Sequence, residues 1–173
     1  MKLTWFGGTT LRVYVGGEIV VVDGDQAPDG VDRGELLAGV DRAVRLGEGV
    51  VADPATWRPK PAVRGMDEQP PLEVLRIGAG ALLIAAAGEP PLVVLGPGEA
   101  PRYGRWADGA VIVLTSAGES LVAEATVLLD IARPRLIALA ADEQLLDTAI
   151  EELSEHLDGA GLVSLEPGLA LEV

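Results

Sequence analysis

Four aspartates crowd a glycine-rich stretch near the amino terminus, at Asp23, Asp25, Asp29 and Asp32. Carboxylate oxygens at this density could hold a hard cation such as Ca²⁺ or Mg²⁺. Their spacing matches no standard calcium loop, and Asp and Gly are also ordinary residues of turns and helix caps. We therefore expect turn and cap residues here, and no metal site.

The sequence offers no histidine that could act as general base for a serine nucleophile. The chain has a single histidine, His156, placed in the last turn of a predicted helix, where a cation interacts favourably with the helix dipole. Ser116 and Ser120 lie between a predicted strand and a different helix, so no Ser-His-Asp triad can be argued. Ser116 and Glu119 instead form a possible capping box.

Composition excludes further function classes. The 13 Lys and Arg residues against 27 Asp and Glu residues give a formal net charge of −14, which disfavours nucleic acid and anionic membranes as partners. The absence of cysteine excludes disulfides, thiolate metal sites and thiol nucleophiles. We expect one soluble, cytoplasmic domain over residues 1–173, because neither a signal peptide nor a membrane span is visible.

The first third of the chain carries strand signals followed by a helix signal. Apolar runs at 11–15 and 18–22, separated by two glycines, predict a β-hairpin. Asp32 caps a helix that is predicted to extend to Gly47. Residues 47–71 lose all periodicity and contain five prolines, which predicts an irregular excursion.

The second half reads as a three-stranded meander, then alternating strands and helices, then a closing hairpin. The predicted strands are 72–77, 81–86, 92–95, 110–114, 136–139, 162–165 and 169–173, and the predicted helices are 121–132 and 142–157. Since the helices can cover only one face of each strand cluster, we predict an α/β fold of two sheets packed face to face with helices outside.

Several of these segments resemble a known family. The opening MKLTWFGG, followed by the Gly-Gly hairpin and Ile19-Val20-Val21-Val22-Asp23, is similar to the start of the metallo-β-lactamase superfamily in its ascorbate-6-phosphate lactonase-like branch. The strand and helix from 109 to 132 and the turn Leu165-Glu166-Pro167-Gly168 resemble the second half of that branch. The resemblance implies a four-layer αββα sandwich, reduced in size.

The family's metal-binding motifs are missing. Its His-x-His-x-Asp-His loop is either deleted after Asp23 or overlaid on residues 23–28, and these two alignments stay open. Its bridging Asp position falls in Gly96-Pro97-Gly98, and its last His position falls near Ala141. A zinc site that activates water needs about three protein ligands, so the resemblance implies no zinc-dependent hydrolase and no cofactor.

Two sets of residues are the candidate sites. The resemblance implies a vestigial pocket lined by Gly7, Asp23, Asp25, Gly96, Pro97, Gly98, Ser116 and Ala141. A candidate interface, of residue types favoured between proteins, comprises Trp57, Arg102, Tyr103, Arg105 and Trp106.

Two hypotheses of function follow. The first is a pseudoenzyme, without catalytic residues, that acts by binding a protein partner or by self-association. The alternative is a small-molecule binder or an enzyme of altered chemistry that uses the carboxylates of the vestigial pocket.

Overall fold

Two β-sheets form the framework of the protein. The computed structural model describes residues 1–62, 70–98, 101–115 and 120–173. The first sheet has the order β12-β1-β2-β3-β4 and the second has the order β11-β10-β9-β8-β7-β6-β5. The strands of the first sheet are β1 (Lys2–Gly7), β2 (Thr10–Val15), β3 (Glu18–Val22), β4 (Arg42–Val44) and β12 (Ala170–Glu172).

The second sheet carries most of the remaining regular structure. Its strands are β5 (Val50–Val51), β6 (Glu73–Gly78), β7 (Ala81–Ala85), β8 (Leu92–Leu95), β9 (Val111–Leu114), β10 (Leu136–Leu139) and β11 (Gly161–Ser164). The helices are α1 (Arg33–Leu37), α2 (Ser120–Ile131) and α3 (Glu143–Ser154). None of the helices in the described ranges is long and apolar enough to cross a membrane.

Local sequence accounts for most of the strand pairing. The predicted hairpin is confirmed as β2 and β3, whose turn places Gly16 and Gly17 at φ +58° and +82°, the left-handed region that favours glycine. The predicted antiparallel meander is confirmed as β6, β7 and β8. From β8 to β11 the pairing is parallel. α2 forms the crossover from β9 to β10 and α3 the crossover from β10 to β11, whereas the connection from β8 to β9 contains the 3-10 helix Arg105–Gly109.

Apolar side chains from both sheets fill the space between them. Leu3 and Val13 from the first sheet and Leu82, Ile84 and Val94 from the second are fully buried in one shared cluster. Burial of each such side chain stabilises the fold by about 1.5 to 3 kcal/mol. The opposite face of the second sheet is buried as well, because α2 and α3 pack on it.

The predicted four-layer sandwich is wrong, because the outer face of the first sheet has no helical layer. Of the described residues, only the five-residue α1 covers this face, and its Leu36 packs on Phe6 and Val21. The rest of this face is open, with Tyr14 52% exposed. The chain is a mixed α/β fold of a five-stranded and a seven-stranded sheet with three helices in the described residues.

The missing layer has a local cause. The helix predicted to extend to Gly47 ends at Leu37, and Gly39 follows with φ +65°. Asp41 then exchanges hydrogen bonds with Ile19, accepting from its N–H at 2.8 Å and donating to its carbonyl at 3.0 Å. The chain therefore enters the sheet as β4, parallel to β3, where a continued helix would have covered the face.

The predicted closing hairpin is also wrong. β11 pairs with β10 in the second sheet, whereas β12 pairs with β1 in the first sheet. The connecting turn is fixed on both sides, since Leu165 N–H donates to Leu139 O at 2.8 Å and Gly168 N–H donates to Trp5 O at 2.7 Å. The carboxyl terminus therefore bridges the two sheets.

The bend after β4 yields a test of this fold. A β-carbon at Gly47 would lie 2.0 Å from the carbonyl oxygen of Ala79, at φ +74°, whereas one at Gly49, at φ +110°, would meet nothing within 4 Å. We expect Gly47→Ala to lower the free energy of unfolding by at least about 3 kcal/mol. Gly49→Ala should cost only about 1 to 2 kcal/mol of backbone strain. Urea unfolding measures both, and equal losses would contradict the close approach.

Candidate functional site

A cavity opens on the outer face of the first sheet, where the parallel strands β3 and β4 end beside α1. Its volume is about 430 Å³, within the range of small-molecule sites. The lining residues are Val21, Gly24, Asp25, Arg33, Leu37, Ala43, Val44, Arg45 and Glu48. The wall is therefore apolar where the sheet forms it and charged at the rim.

The rim is organised by an ion pair between Asp25 and Arg45. Arg45 Nη2 lies 2.6 Å from Asp25 Oδ2, and Arg45 Nε lies 3.4 Å from Oδ1. The other terminal nitrogen, Nη1, lies 3.7 Å from Glu48 Oε1. This side-on geometry engages the guanidinium on two sides and fixes its plane.

The pair shifts the titration of both partners. The hydrogen bond from Arg45 is the main cause that lowers the pKa of Asp25 below its ordinary value of 3.8. The same hydrogen bond raises the pKa of Arg45. The cavity therefore presents a permanent cation held by a permanent anion across the neutral pH range.

Asp23 holds the strand ends beneath this cavity together. Its side chain is 3% exposed and accepts hydrogen bonds from Thr9 Oγ1 at 2.6 Å and from Leu46 N–H at 3.0 Å. Its backbone N–H donates to Val44 O at 2.9 Å, and its carbonyl accepts from Thr10 Oγ1 at 3.0 Å. Asp23 is thus occupied by the fold and fixes the backbone that carries Arg45.

The structure separates the residues predicted to line one vestigial pocket. Leu46 contacts two of these positions, since its N–H donates to Asp23 Oδ1 and its Cδ1 would lie 2.9 Å from a β-carbon at Gly96. Asp25 points into the cavity described above. Ala141 lines a different cavity of about 480 Å³, beside the start of α3.

The other residues predicted to line the vestigial pocket have the following surroundings. Gly7 faces the ring of Pro28, Pro97 places its carbonyl oxygen against Gly80, and Gly98 adopts φ +143° with open space around it. Ser116, with its predicted cap partner Glu119, lies outside the described residues. The assignment of these residues to a functional pocket stays a prediction.

The three aromatic residues of the candidate interface pack against one another within the chain. The ring of Trp106 is edge-on to Trp57 at 4.9 Å and to Tyr103 at 5.9 Å. Trp106 Nε1 donates to Pro54 O at 2.6 Å, which ties the segment after β5 to the turn before β9. Burial raises the pKa of the Tyr103 hydroxyl.

Two arginines of that set, Arg102 and Arg105, are exposed. The aromatic members are thus engaged with one another, and a role for the five residues in an interface stays a prediction.

Sequence reasoning missed Arg33, Arg45 and Glu48. Arg45 and Glu48 lie near the end of the helix that the sequence predicts. Because residues 42–44 were predicted as helix, the sequence did not indicate that Arg45 directly follows a strand. Within the described ranges, no group of three or more His, Cys, Asp or Glu side chains is arranged to hold a metal ion.

Comparison with known proteins gives one similarity, at the level of fold. No protein-family model matches the chain, and no curated protein matches it. The crystal structure of isothiocyanate hydrolase from Delia radicum gut bacteria is similar, with a TM-score of 0.53, 12% identity, and coverage of 100% of this chain and 99% of that chain. At this identity the likeness shows a shared fold alone.

These findings correct two predictions. Membership of the metallo-β-lactamase superfamily finds no support, because no family model matches and the similar structure is known as an isothiocyanate hydrolase. The prediction of a pseudoenzyme that acts through protein contacts is corrected as well: the finding against it is that the similar solved structure is that of a hydrolase.

The role of Asp23 can be tested by two substitutions. Asp23→Ala leaves the N–H of Leu46 and the hydroxyl of Thr9 unpaired and places alanine at φ +48°. We expect it to lower the free energy of unfolding by about 2 to 4 kcal/mol. Asp23→Asn keeps an acceptor and tolerates this φ, so it should cost about 1 kcal/mol. Chemical denaturation distinguishes them, and two equal, small losses would contradict the role.

The ion pair can be tested by titration. Because the folded-state pKa of Asp25 is lowered, its contribution to stability is present above pH 3.8 and is lost as the pH falls through the lowered value. Arg45→Gln should move the pKa of Asp25 upward towards 3.8, as followed by NMR of the carboxyl carbon. The exposed Arg102→Gln is the control and should leave it unchanged. An unshifted Asp25 in Arg45→Gln would show that the pair does not form.

Proposed function

We propose that this protein is a hydrolase of a small organic compound and that its substrate lies in the cavity between α1 and β4. The observation that carries the proposal is the cavity itself, which combines an apolar wall with a fixed guanidinium at the carboxyl ends of parallel strands. Crevices at this end of the strands are where sheets of α/β proteins bind ligands. The fold shared with isothiocyanate hydrolase supports the assignment to hydrolysis.

The apolar wall and the charged rim of the cavity have different roles in the proposed reaction. Val21, Leu37 and Ala43 contact the apolar body of the substrate. Addition of water to an electrophilic carbon places negative charge on the neighbouring heteroatom, and a preorganised guanidinium stabilises that charge. Arg45 is suited to this role because Asp25 holds it in place before the substrate arrives.

This site differs from the one proposed from the sequence. The carboxylate of Asp23 takes no part, because Thr9 and Leu46 use both of its oxygens. Asp25 acts by positioning Arg45, and Arg45 stabilises the charge that develops on the substrate.

Hydrolysis assays on the purified protein test the proposal. The probes are phenyl and benzyl isothiocyanates and matched carboxylic esters, each with and without a carboxylate substituent on the ring, and turnover is followed by loss of absorbance. We expect turnover of at least one compound above the uncatalysed rate, and Arg45→Met should lower kcat/KM by at least about tenfold, since loss of one such donor costs about 10²- to 10³-fold in well-studied enzymes. Absence of turnover with every probe would overturn the hydrolase.

A cavity-filling variant locates the substrate. Ala43→Leu places a larger side chain in the cavity from the exposed edge of the sheet, so KM should rise at least about tenfold while the melting temperature stays unchanged. Ala170→Leu makes the same exposed change on the opposite edge strand of the same sheet and should leave KM unchanged. Equal KM values in the two variants would place the substrate elsewhere.

A further inference from the structure

The charges around the cavity are not all engaged with one another. Arg45 uses Nη2 and Nε on Asp25 and directs Nη1 at Glu48. Arg33, the second guanidinium of the rim, makes one hydrogen bond, from Nη1 to Gly24 O at 3.2 Å. Among the described residues, no carboxylate lies within 4.0 Å of its nitrogens.

Other described arginines, such as Arg12 and Arg76, also have no carboxylate within 4.0 Å, so what distinguishes Arg33 is its place at the rim of the cavity. Asp32, the acidic residue next to Arg33 in the sequence, caps α1: its Oδ1 accepts hydrogen bonds from Gly34 N–H at 2.8 Å and from Glu35 N–H at 3.2 Å. The positive charge of Arg33 nevertheless reaches the site, because it contributes to the lowered pKa of Asp25.

The apolar wall lies directly beside this guanidinium. Leu37, one turn along α1 from Arg33, is 48% exposed and lines the same cavity as Val21 and Val44. A ligand with an apolar body against Leu37 would bring a charged head to Arg33. A guanidinium binds a carboxylate through two parallel N–H donors, and the free Nη2 and Nε of Arg33 provide such a pair.

We propose that the ligand of this cavity carries a carboxylate head that pairs with Arg33 and an apolar body that packs on Leu37. The inference rests on the proposed function, since it names the class of substrate that the same cavity takes. Arg33 selects the ligand, whereas Arg45 stays with Asp25.

Binding of two matched probes tests this inference without any reaction. The probes are 4-phenylbutyrate and 4-phenylbutyramide, which differ only in the charge of the head, and binding is measured on the full chain by NMR titration. We expect the carboxylate to bind at least about tenfold more tightly than the amide. Arg33→Gln should reduce this ratio to about one while leaving the affinity for the amide and the melting temperature unchanged. The exposed Arg102→Gln is the control and should keep the ratio.

The outcomes separate this inference from the proposed function. Equal affinities for the two probes, or a ratio that persists in Arg33→Gln, overturns the role of Arg33 and leaves the hydrolase proposal standing. Selective binding of the carboxylate without turnover of any hydrolysis probe supports the inference and overturns the hydrolase. If neither probe binds, the inference about Arg33 is overturned, and the hydrolase proposal is decided by the turnover assays alone.

Discussion

The unequal cover of the two sheets is the constraint on which the rest of the structure depends. The second sheet buries one face against the first sheet and the other against α2 and α3. The first sheet buries its inner face in the same way, but α1 covers only part of its outer face. Because the chain between α1 and β5 joins this sheet as β4, the space beside α1 is left as a cavity.

The charged rim of that cavity depends on a buried hydrogen-bond network below it. Asp23 connects the turn before β2, the end of β3 and the end of β4 through Thr9, Val44 and Leu46. Arg45 lies between two of these anchored residues, so its backbone has little freedom. The ion pair with Asp25 is half exposed and contributes little to stability by itself. The ion pair instead orients the guanidinium of Arg45, because it holds that group in a fixed plane.

The same geometry explains why the acidic character of the chain does not dictate an affinity for cations at this place. Net charge acts over long distances and is screened by salt, whereas recognition in a cavity depends on the few groups that line it. This rim carries two guanidiniums, Arg33 and Arg45, and two carboxylates, Asp25 and Glu48, so its charges balance although the chain as a whole is acidic. Both carboxylates lie beside Arg45, and none among the described residues lies within 4.0 Å of Arg33, so the anionic, partly apolar ligand proposed above depends on Arg33.

The sequence by itself determined most of the strands, the Gly-Gly hairpin, the meander and the cap at Asp32, because each depends on residues close together in the chain. It also excluded every site that needs cysteine or two histidines. The tertiary structure decided that residues 42–44 form a strand. Their apolar spacing suits a helix as well, and only pairing with β3 and the hydrogen bonds of Asp41 to Ile19 select the strand.

The residues of the cavity could not be predicted from the sequence, because they too depend on the pairing of β4 with β3. Asp25, Arg33 and Arg45 are brought together by the return of the chain to the sheet, whereas the buried carboxylate of Asp23 accepts hydrogen bonds from Thr9 and Leu46. Local patterns fix which segments become strands or helices, but side-chain pairing across 20 residues depends on the packing of the whole sheet.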